Sequence, residues 1–133
     1  MRSPVRQSQP NAYLRLHELA TYFAGKDAKA GELFDAFLKL LKRFGPVTVL
    51  PEKTRIAFQT RMSFAAVSVR KNYLIGHLVL ARRIESPRFL RVETFSPRNH
   101  LHAFRIDDAS ALNDEFAGWT SEAYEVGEQK HLK

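Results

Sequence analysis

The spacing of the apolar residues changes twice along the chain and divides it into helical and extended parts. Up to Phe44, apolar positions recur every three or four residues, which is the spacing of an amphipathic helix. After Pro46 they alternate with polar positions, as in strands that pack one face and expose the other. From Leu112 the helical spacing returns. The pattern therefore predicts helices on both sides of an antiparallel sheet.

Two helices are predicted before the sheet. The first is short and ends near Gly25, a residue type that favours helix C-termini; its apolar positions are Leu16, Leu19, Ala20 and Phe23. The second covers residues 29–44 and ends at Gly45 and Pro46. Its broad apolar face is formed by Leu33, Phe34, Phe37, Leu38, Leu40, Leu41 and Phe44.

Roughly five strands follow, predicted over residues 54–59, 65–69, 74–80, 89–95 and 100–106. The turn residues Arg70, Lys71 and Asn72 join the second and third strands as a hairpin. The strand over residues 74–80 is apolar on both faces, which predicts a central position. We therefore interpret its single histidine, His77, as a core residue with satisfied hydrogen bonds.

An amphipathic helix closes the pattern, with Asp107, Asp108 or Ser110 as its predicted N-cap. Its apolar stripe places Trp119 in the core and comprises Leu112, Phe116, Trp119, Ala123 and Val126. The predicted fold class is α+β: N-terminal helices, a roughly five-stranded antiparallel sheet, and a C-terminal amphipathic helix packed on one sheet face.

A length of 133 residues and 44% hydrophobic content fit one folded domain. We assign residues 13–127 to this domain, residues 1–12 to a flexible arm and residues 128–133 to a flexible tail. The sequence contains no cysteine, which excludes disulfides, thiolate metal sites and a cysteine nucleophile, and favours the cytoplasm. No apolar run approaches the roughly 18 residues of a membrane span, and the N-terminus lacks the apolar region of a signal peptide.

Charge is divided unevenly along the chain. Residues 1–106 carry 19 basic and 7 acidic side chains, a net charge of +12, within a total of +7. The segment between Arg105 and Lys130 has no basic residue and contains Asp107, Asp108, Asp114, Glu115, Glu122, Glu125 and Glu128. This division predicts a basic surface that attracts phosphates or other anions and an acidic surface near the C-terminus. The alternative is that the charge serves only solubility.

Three stretches of the chain carry a resemblance to a known family: GELFDAFLKLLKRFGPVTVLPEKTRIAF, RMSFAAVSVRKNYLIGHLVL and SPRNHLHAFRIDDASALNDEFAGWTSEAY. They closely resemble the bacterial proteins grouped as the DUF5655 domain, a family of unknown function. The resemblance extends from Leu19 to Tyr124, and its markers include GP after the second helix, SP before a histidine-bearing strand, and a late W followed by EAY. It implies a single small α+β domain that acts as a module, and it supplies no catalytic residues.

Two histidines are candidates for a site because they alternate along the last predicted strand. His100 and His102 point to the same face, roughly 7 Å apart, a distance that allows both imidazoles to contact one anion or one metal. They share the parity of Phe104 and Ile106, which places the rings at the margin of the apolar face. Glu93 is the nearest carboxylate on a neighbouring strand, but its pairing with either histidine is not established, so a structural role remains open.

The water-facing side of the sheet is the second candidate. Arg55 and Arg61 share one parity, Arg91 and Glu93 share another, and aligned guanidinium groups match phosphate oxygens bidentately. Either Tyr73 or Phe64 would stack a base there. The alternative is a solvated basic face without a ligand.

The sequence lacks the patterns of common enzymes: its serines have no GxSxG context, and its six glycines are isolated. We therefore expect a non-catalytic module that binds an anionic ligand, such as nucleic acid or a nucleotide, with no cofactor and no metal. The candidate ligand-binding residues, on or near the open sheet face, are Arg55, Arg61, Arg91, Glu93, His100 and His102. Two alternatives stay open: a small hydrolytic or metal-assisted enzyme using the His100/His102 pair, and a protein-interaction or homodimerisation domain using the acidic C-terminal helix. A membrane is not an expected partner.

Overall fold

A computed structural model describes residues 19–130 of the chain. The predicted arm over residues 1–12, the first part of the first helix and residues 131–133 of the predicted tail lie outside this range. The elements in chain order are α1 (residues 19–23), α2 (Ala28–Lys42), β1 (Thr48–Pro51), β2 (Ile56–Gln59), β3 (Ser63–Val69), β4 (Leu74–Leu80), β5 (Phe89–Ser96), β6 (Asn99–Ile106), a short 3-10 turn (Ala109–Ala111) and α3 (Asp114–Gly127).

The strands form one antiparallel sheet in the order β1-β2-β3-β4-β6-β5. This confirms the predicted α+β class, with six strands in place of roughly five. The additional strand is β1, which has only four residues and ends at Pro51. β4 lies between β3 and β6, the interior position predicted for it.

The helices pack on one face of the sheet, which we call the covered face. The centre of this core is an aromatic cluster in which the ring of Phe37, from α2, lies 5.4 Å from Phe58, 5.7 Å from Phe104 and 6.3 Å from Phe116. Trp119 in α3 is also buried, as predicted. Burial of each such side chain stabilises the fold by about 1.5–3 kcal/mol. The amphipathic stripes of α2 and α3 therefore fix which sheet face becomes the core.

The loop that follows α2 is held by a hydrogen bond from the last helix. The hydroxyl of Tyr124 in α3 donates a hydrogen bond to the carbonyl oxygen of Pro46 at 2.9 Å. Gly45, immediately before, has a φ of +146°, and a Cβ there would lie 2.3 Å from the Tyr124 hydroxyl oxygen. A glycine is required at this position both by the backbone angle and by the close approach of the tyrosine.

The N-cap of α3 differs from the prediction. Asn113 is the cap, and its side-chain oxygen accepts a hydrogen bond from the Phe116 amide at 3.0 Å. Asp108 instead caps the 3-10 turn by accepting from the Ser110 amide at 3.1 Å. The predicted N-cap was wrong because the 3-10 turn lies between Asp108 and the start of α3.

Candidate functional site

The second face of the sheet, which we call the open face, carries no helix among residues 19–130. One row of side chains crosses all six strands there, each directly opposite the next. From β5 to β1 the row is Arg91, Ala103, His77, Ala66, Ala57 and Leu50. Opposite residues in an antiparallel sheet have Cβ atoms about 4.5–5.5 Å apart. We call this row the trough; its three alanines are buried, and His77 lies near its middle.

His77 is the polar centre of this trough. Its ring is partly buried and makes no hydrogen bond within the described part of the chain. Burial, then the positive charges of Arg55 and Arg91, lower its pKa from 6.5 to about 4, against a weaker opposite effect of Glu93 and Glu52. The imidazole is consequently neutral at pH 7; burial is the main reason, and the two arginines act in the same direction.

Two arginines lie on the open face to either side of His77, Arg91 in β5 and Arg55 just before β2. The Nε of Arg55 donates to Glu52 at 2.8 Å, and the Nε of Arg91 donates to Glu93. All four side chains are roughly half exposed, so these ion pairs contribute little to stability. The terminal guanidinium nitrogens of both arginines have no partner among residues 19–130. Each arginine is thus held in place through Nε and keeps its outer donors available.

Aliphatic side chains flank His77 along β4. Ile75 and Val79 lie two residues to either side and share its face, and Val79 is opposite Leu101. Beside Ile75, Arg105 places its guanidinium 3.7 Å from the ring centroid of Tyr73 and pairs with Asp107. The open face therefore combines an apolar middle with guanidinium groups around it.

His100 and His102 lie on the covered face, as their shared parity with Phe104 and Ile106 predicts, and not on or near the open face, where the binding hypothesis placed them. Register explains this: His102 is opposite Leu78 and His100 is opposite Leu80, both core residues. The Nδ1 of His102 donates to the His100 carbonyl at 2.9 Å, and its Nε2 accepts from the Ile84 amide at 2.9 Å. Burial lowers the pKa of His102.

The hydrogen bonds of His100 are equally complete. Arg83 donates to the Thr94 hydroxyl at 2.8 Å, and that hydroxyl donates to Nδ1 of His100 at 2.9 Å. The Nε2 of His100 then donates to the Pro97 carbonyl at 3.0 Å. All four ring nitrogens of the two histidines are engaged inside the protein, which leaves none of them directed at a ligand.

A comparison with models of known protein families assigns the chain to a family. Residues 19–127 match the model of the DUF5655 domain, described as a domain of unknown function. The chain belongs to the DUF5655 family. No curated protein and no solved structure matches it.

The DUF5655 domain places three of the six candidate residues on the open face. They are Arg55, Arg91 and Glu93, and the charge of each acts on His77. Arg61 lies in the turn after β2, where its amide and that of Met62 both donate to the Gly127 carbonyl at 3.1 Å. There its side chain lines a separate cleft of about 430 Å³ together with Pro46, Val47, Thr48, Gln59, Thr60, Tyr124 and Glu128.

The aromatic residues considered for base stacking are placed differently from the prediction. Phe64 is fully buried against Tyr124 of α3, with the ring centroids 5.6 Å apart, so it is not a stacking platform. Tyr73 already stacks against Arg105. Among residues 19–130 of this DUF5655 domain, no group of three or more His, Cys, Asp or Glu side chains is arranged to hold a metal ion. The described helices are also too short or too polar to cross a membrane.

The position of His77 on the open face was not predicted from the sequence. We interpreted it as a satisfied core residue because β4 is apolar on both faces, and that interpretation is wrong. The signal that would have located it is its parity: His77 alternates with Leu74, Gly76 and Leu78, so it points away from the helices once those residues are assigned to the core.

Proposed function

We propose that this DUF5655 domain is a non-catalytic binding module and that its open face binds a phosphate-bearing ligand, with a nucleic-acid strand as the favoured class. The observation that carries the proposal is the pair of arginines on either side of His77, each with unpartnered terminal nitrogens. Guanidinium groups bind phosphate oxygens in a bidentate manner. Two such groups across one trough suit a ligand with more than one phosphate.

Electrostatics support the same location. The positive charges of Arg55 and Arg91, which add to the effect of burial in lowering the pKa of His77, also stabilise an anion placed beside them. The two arginines lower the pKa of His77 more than Glu93 and Glu52 raise it. The carboxylates therefore orient the guanidinium groups without cancelling their field at the centre of the trough.

The apolar middle of the open face supports a ligand that has flat, apolar parts. Ala66 and Ala103 lie on either side of the partly buried His77 ring, and Ile75 and Val79 border it. A single nucleic-acid strand offers unpaired bases that stack on such rings, while its backbone follows a basic surface. Duplex DNA presents its bases only in the grooves, so we expect weaker binding.

The test is a titration with labelled single-stranded RNA, single-stranded DNA and duplex DNA over a series of salt concentrations. Arg55→Glu is the main variant, because Arg55 flanks His77 from the β2 side. Lys39→Glu is the matched control: it makes the same charge change on an exposed residue of α2, which packs on the covered face. We expect Arg55→Glu to weaken binding about tenfold or more and to reduce the salt slope by about one, and Lys39→Glu to have little effect.

The proposal is wrong if no strand binds even at low salt, or if both variants weaken binding equally. A second measurement follows His77 directly by NMR. A bound phosphate raises the pKa of the imidazole, so we expect the pKa of His77 to increase in the complex and binding to strengthen as pH falls toward 5. An unchanged His77 pKa in a saturated complex would place the ligand elsewhere. The proposal includes a cytoplasmic location, which the cysteine-free composition supports.

A further inference from the structure

Among residues 19–130 the sheet has two unpaired edges, and the edge at β5 differs from the edge at β1. β5 has eight residues, whereas β1 has four and ends at Pro51, a residue that blocks strand pairing. The two large apolar side chains that residues 19–130 leave most exposed, Leu90 at 57% and Phe95 at 65%, both belong to β5. A long edge strand with exposed apolar side chains is a template for another strand.

Two irregularities in the pairing of β5 with β6 limit the part of this edge that is regular. Register shifts occur between Phe89 and Arg91 and between Thr94 and Ser96, and Leu90 and Phe95 are the residues left over. Between the shifts, Arg91–Thr94 pairs with β6 without interruption. A partner strand would therefore align with this central stretch and meet one exposed apolar residue at each end.

The charges on this stretch are self-complementary. Arg91 and Glu93 lie on the open face on either side of Val92. In an antiparallel pair of two β5 strands centred on Val92, Arg91 of one copy faces Glu93 of the other, and the contact occurs twice. Registers centred on Arg91 or on Glu93 would place like charges opposite each other, which destabilises strand pairing.

We propose that a second copy of this chain docks antiparallel on the β5 edge, centred on Val92, to form one twelve-stranded sheet. Arg91 and Glu93 exchange their pairing within one copy for pairing between copies. Such an isologous contact uses both β5 edges and leaves, in the described part of each chain, only the short β1 edges, so assembly ends at the dimer. This surface is independent of the Arg55 side of the open face.

The test is sedimentation velocity over a concentration series with charge-reversal variants of β5. Arg91→Glu leaves two acidic residues in the stretch and Glu93→Arg leaves two basic ones, so each variant alone faces like charges in its own dimer. We expect each to weaken self-association about tenfold or more. An equimolar mixture of the two variants restores opposite charges at both contacts, and we expect a heterodimer there. Lys39→Glu is the matched control: it makes the same charge change as Arg91→Glu on an exposed residue of α2, away from β5, and should leave association unchanged.

The mixture is the decisive arm, because loss of the Arg91–Glu93 pair within one chain is common to both single variants and cannot be repaired by mixing. Three results would overturn the proposal: a wild-type chain that stays monomeric at every concentration, a mixture that does not associate, or a dimer that ignores all β5 variants. The last result would mean that the chain self-associates through another surface, such as the acidic face of α3.

Discussion

His77 makes the free energy of unfolding depend on pH in a way that one substitution tests. Its imidazole has a pKa of about 4 in the folded chain, whereas a histidine in an unfolded chain has a pKa of about 6.5. As pH falls, the unfolded chain binds this proton first, so the folded state loses stability between about pH 6.5 and about pH 4. Above that window the imidazole is neutral in both states and has no such effect.

The size of the effect follows from the separation of the two pKa values. A difference of about 2.5 units corresponds to a full loss of about 3 kcal/mol, since each unit is worth about 1.4 kcal/mol. The same relation gives a loss of about 2 kcal/mol at pH 5 and about 0.2 kcal/mol at pH 7. Because the ring is only partly buried, these values are the upper end of the expected range.

The assay compares urea unfolding of the wild-type chain and His77→Gln at pH 7 and at pH 5. Glutamine has no titratable group, and every other titrating residue is shared, so the difference between the two chains isolates His77. We expect the wild type to lose up to about 2 kcal/mol more than the variant between these pH values. Equal losses would refute the depressed pKa of His77.

Three further substitutions test the covered face and the sheet by the same unfolding measurement at pH 7. His102→Leu leaves the part-buried Ile84 amide without its acceptor, and we expect a loss of about 1–3 kcal/mol; a loss below about 0.5 kcal/mol would mean that water replaces the imidazole. Gly76→Ala places a Cβ 2.3 Å from the Ala66 carbonyl oxygen in the middle of the sheet, and we expect a loss of about 1–3 kcal/mol or more. Gly118→Ala, in α3 with open space around it, should instead stabilise by about 0.5–1 kcal/mol, and a loss there would contradict the helix assignment.

The element types were predictable because apolar spacing reflects backbone geometry. Phe37 and Trp119 repeat with the period of a helix, and both are buried in helices on the covered face. The alternation that joins His100 and His102 to Phe104 placed the two rings correctly at the apolar side. Such positions depend on local geometry, which a single sequence contains.

Features that depend on distant partners were not predictable. His77 lies in a strand that is apolar on both faces, and only the packing of α2 and α3 decides which face becomes the core. β1 is too short to show an alternation of its own and exists through its pairing with β2. The parity of Arg91 and Glu93 was visible in the sequence, but their approach to the same histidine as Arg55 required the order of the strands.

The hydrogen bond from Tyr124 to Pro46 has a consequence for synthesis of the chain. The two residues are 78 positions apart, and α3 also supplies Phe116 and Trp119 to the core. At about 5–20 residues per second, the ribosome needs about one to four seconds to extend the chain from Ile106 to Gly127. Throughout that interval the finished hairpins present their apolar side without its last helix. The apolar side of the sheet is therefore completed by the last helix to be translated, and it stays partly uncovered until α3 has folded.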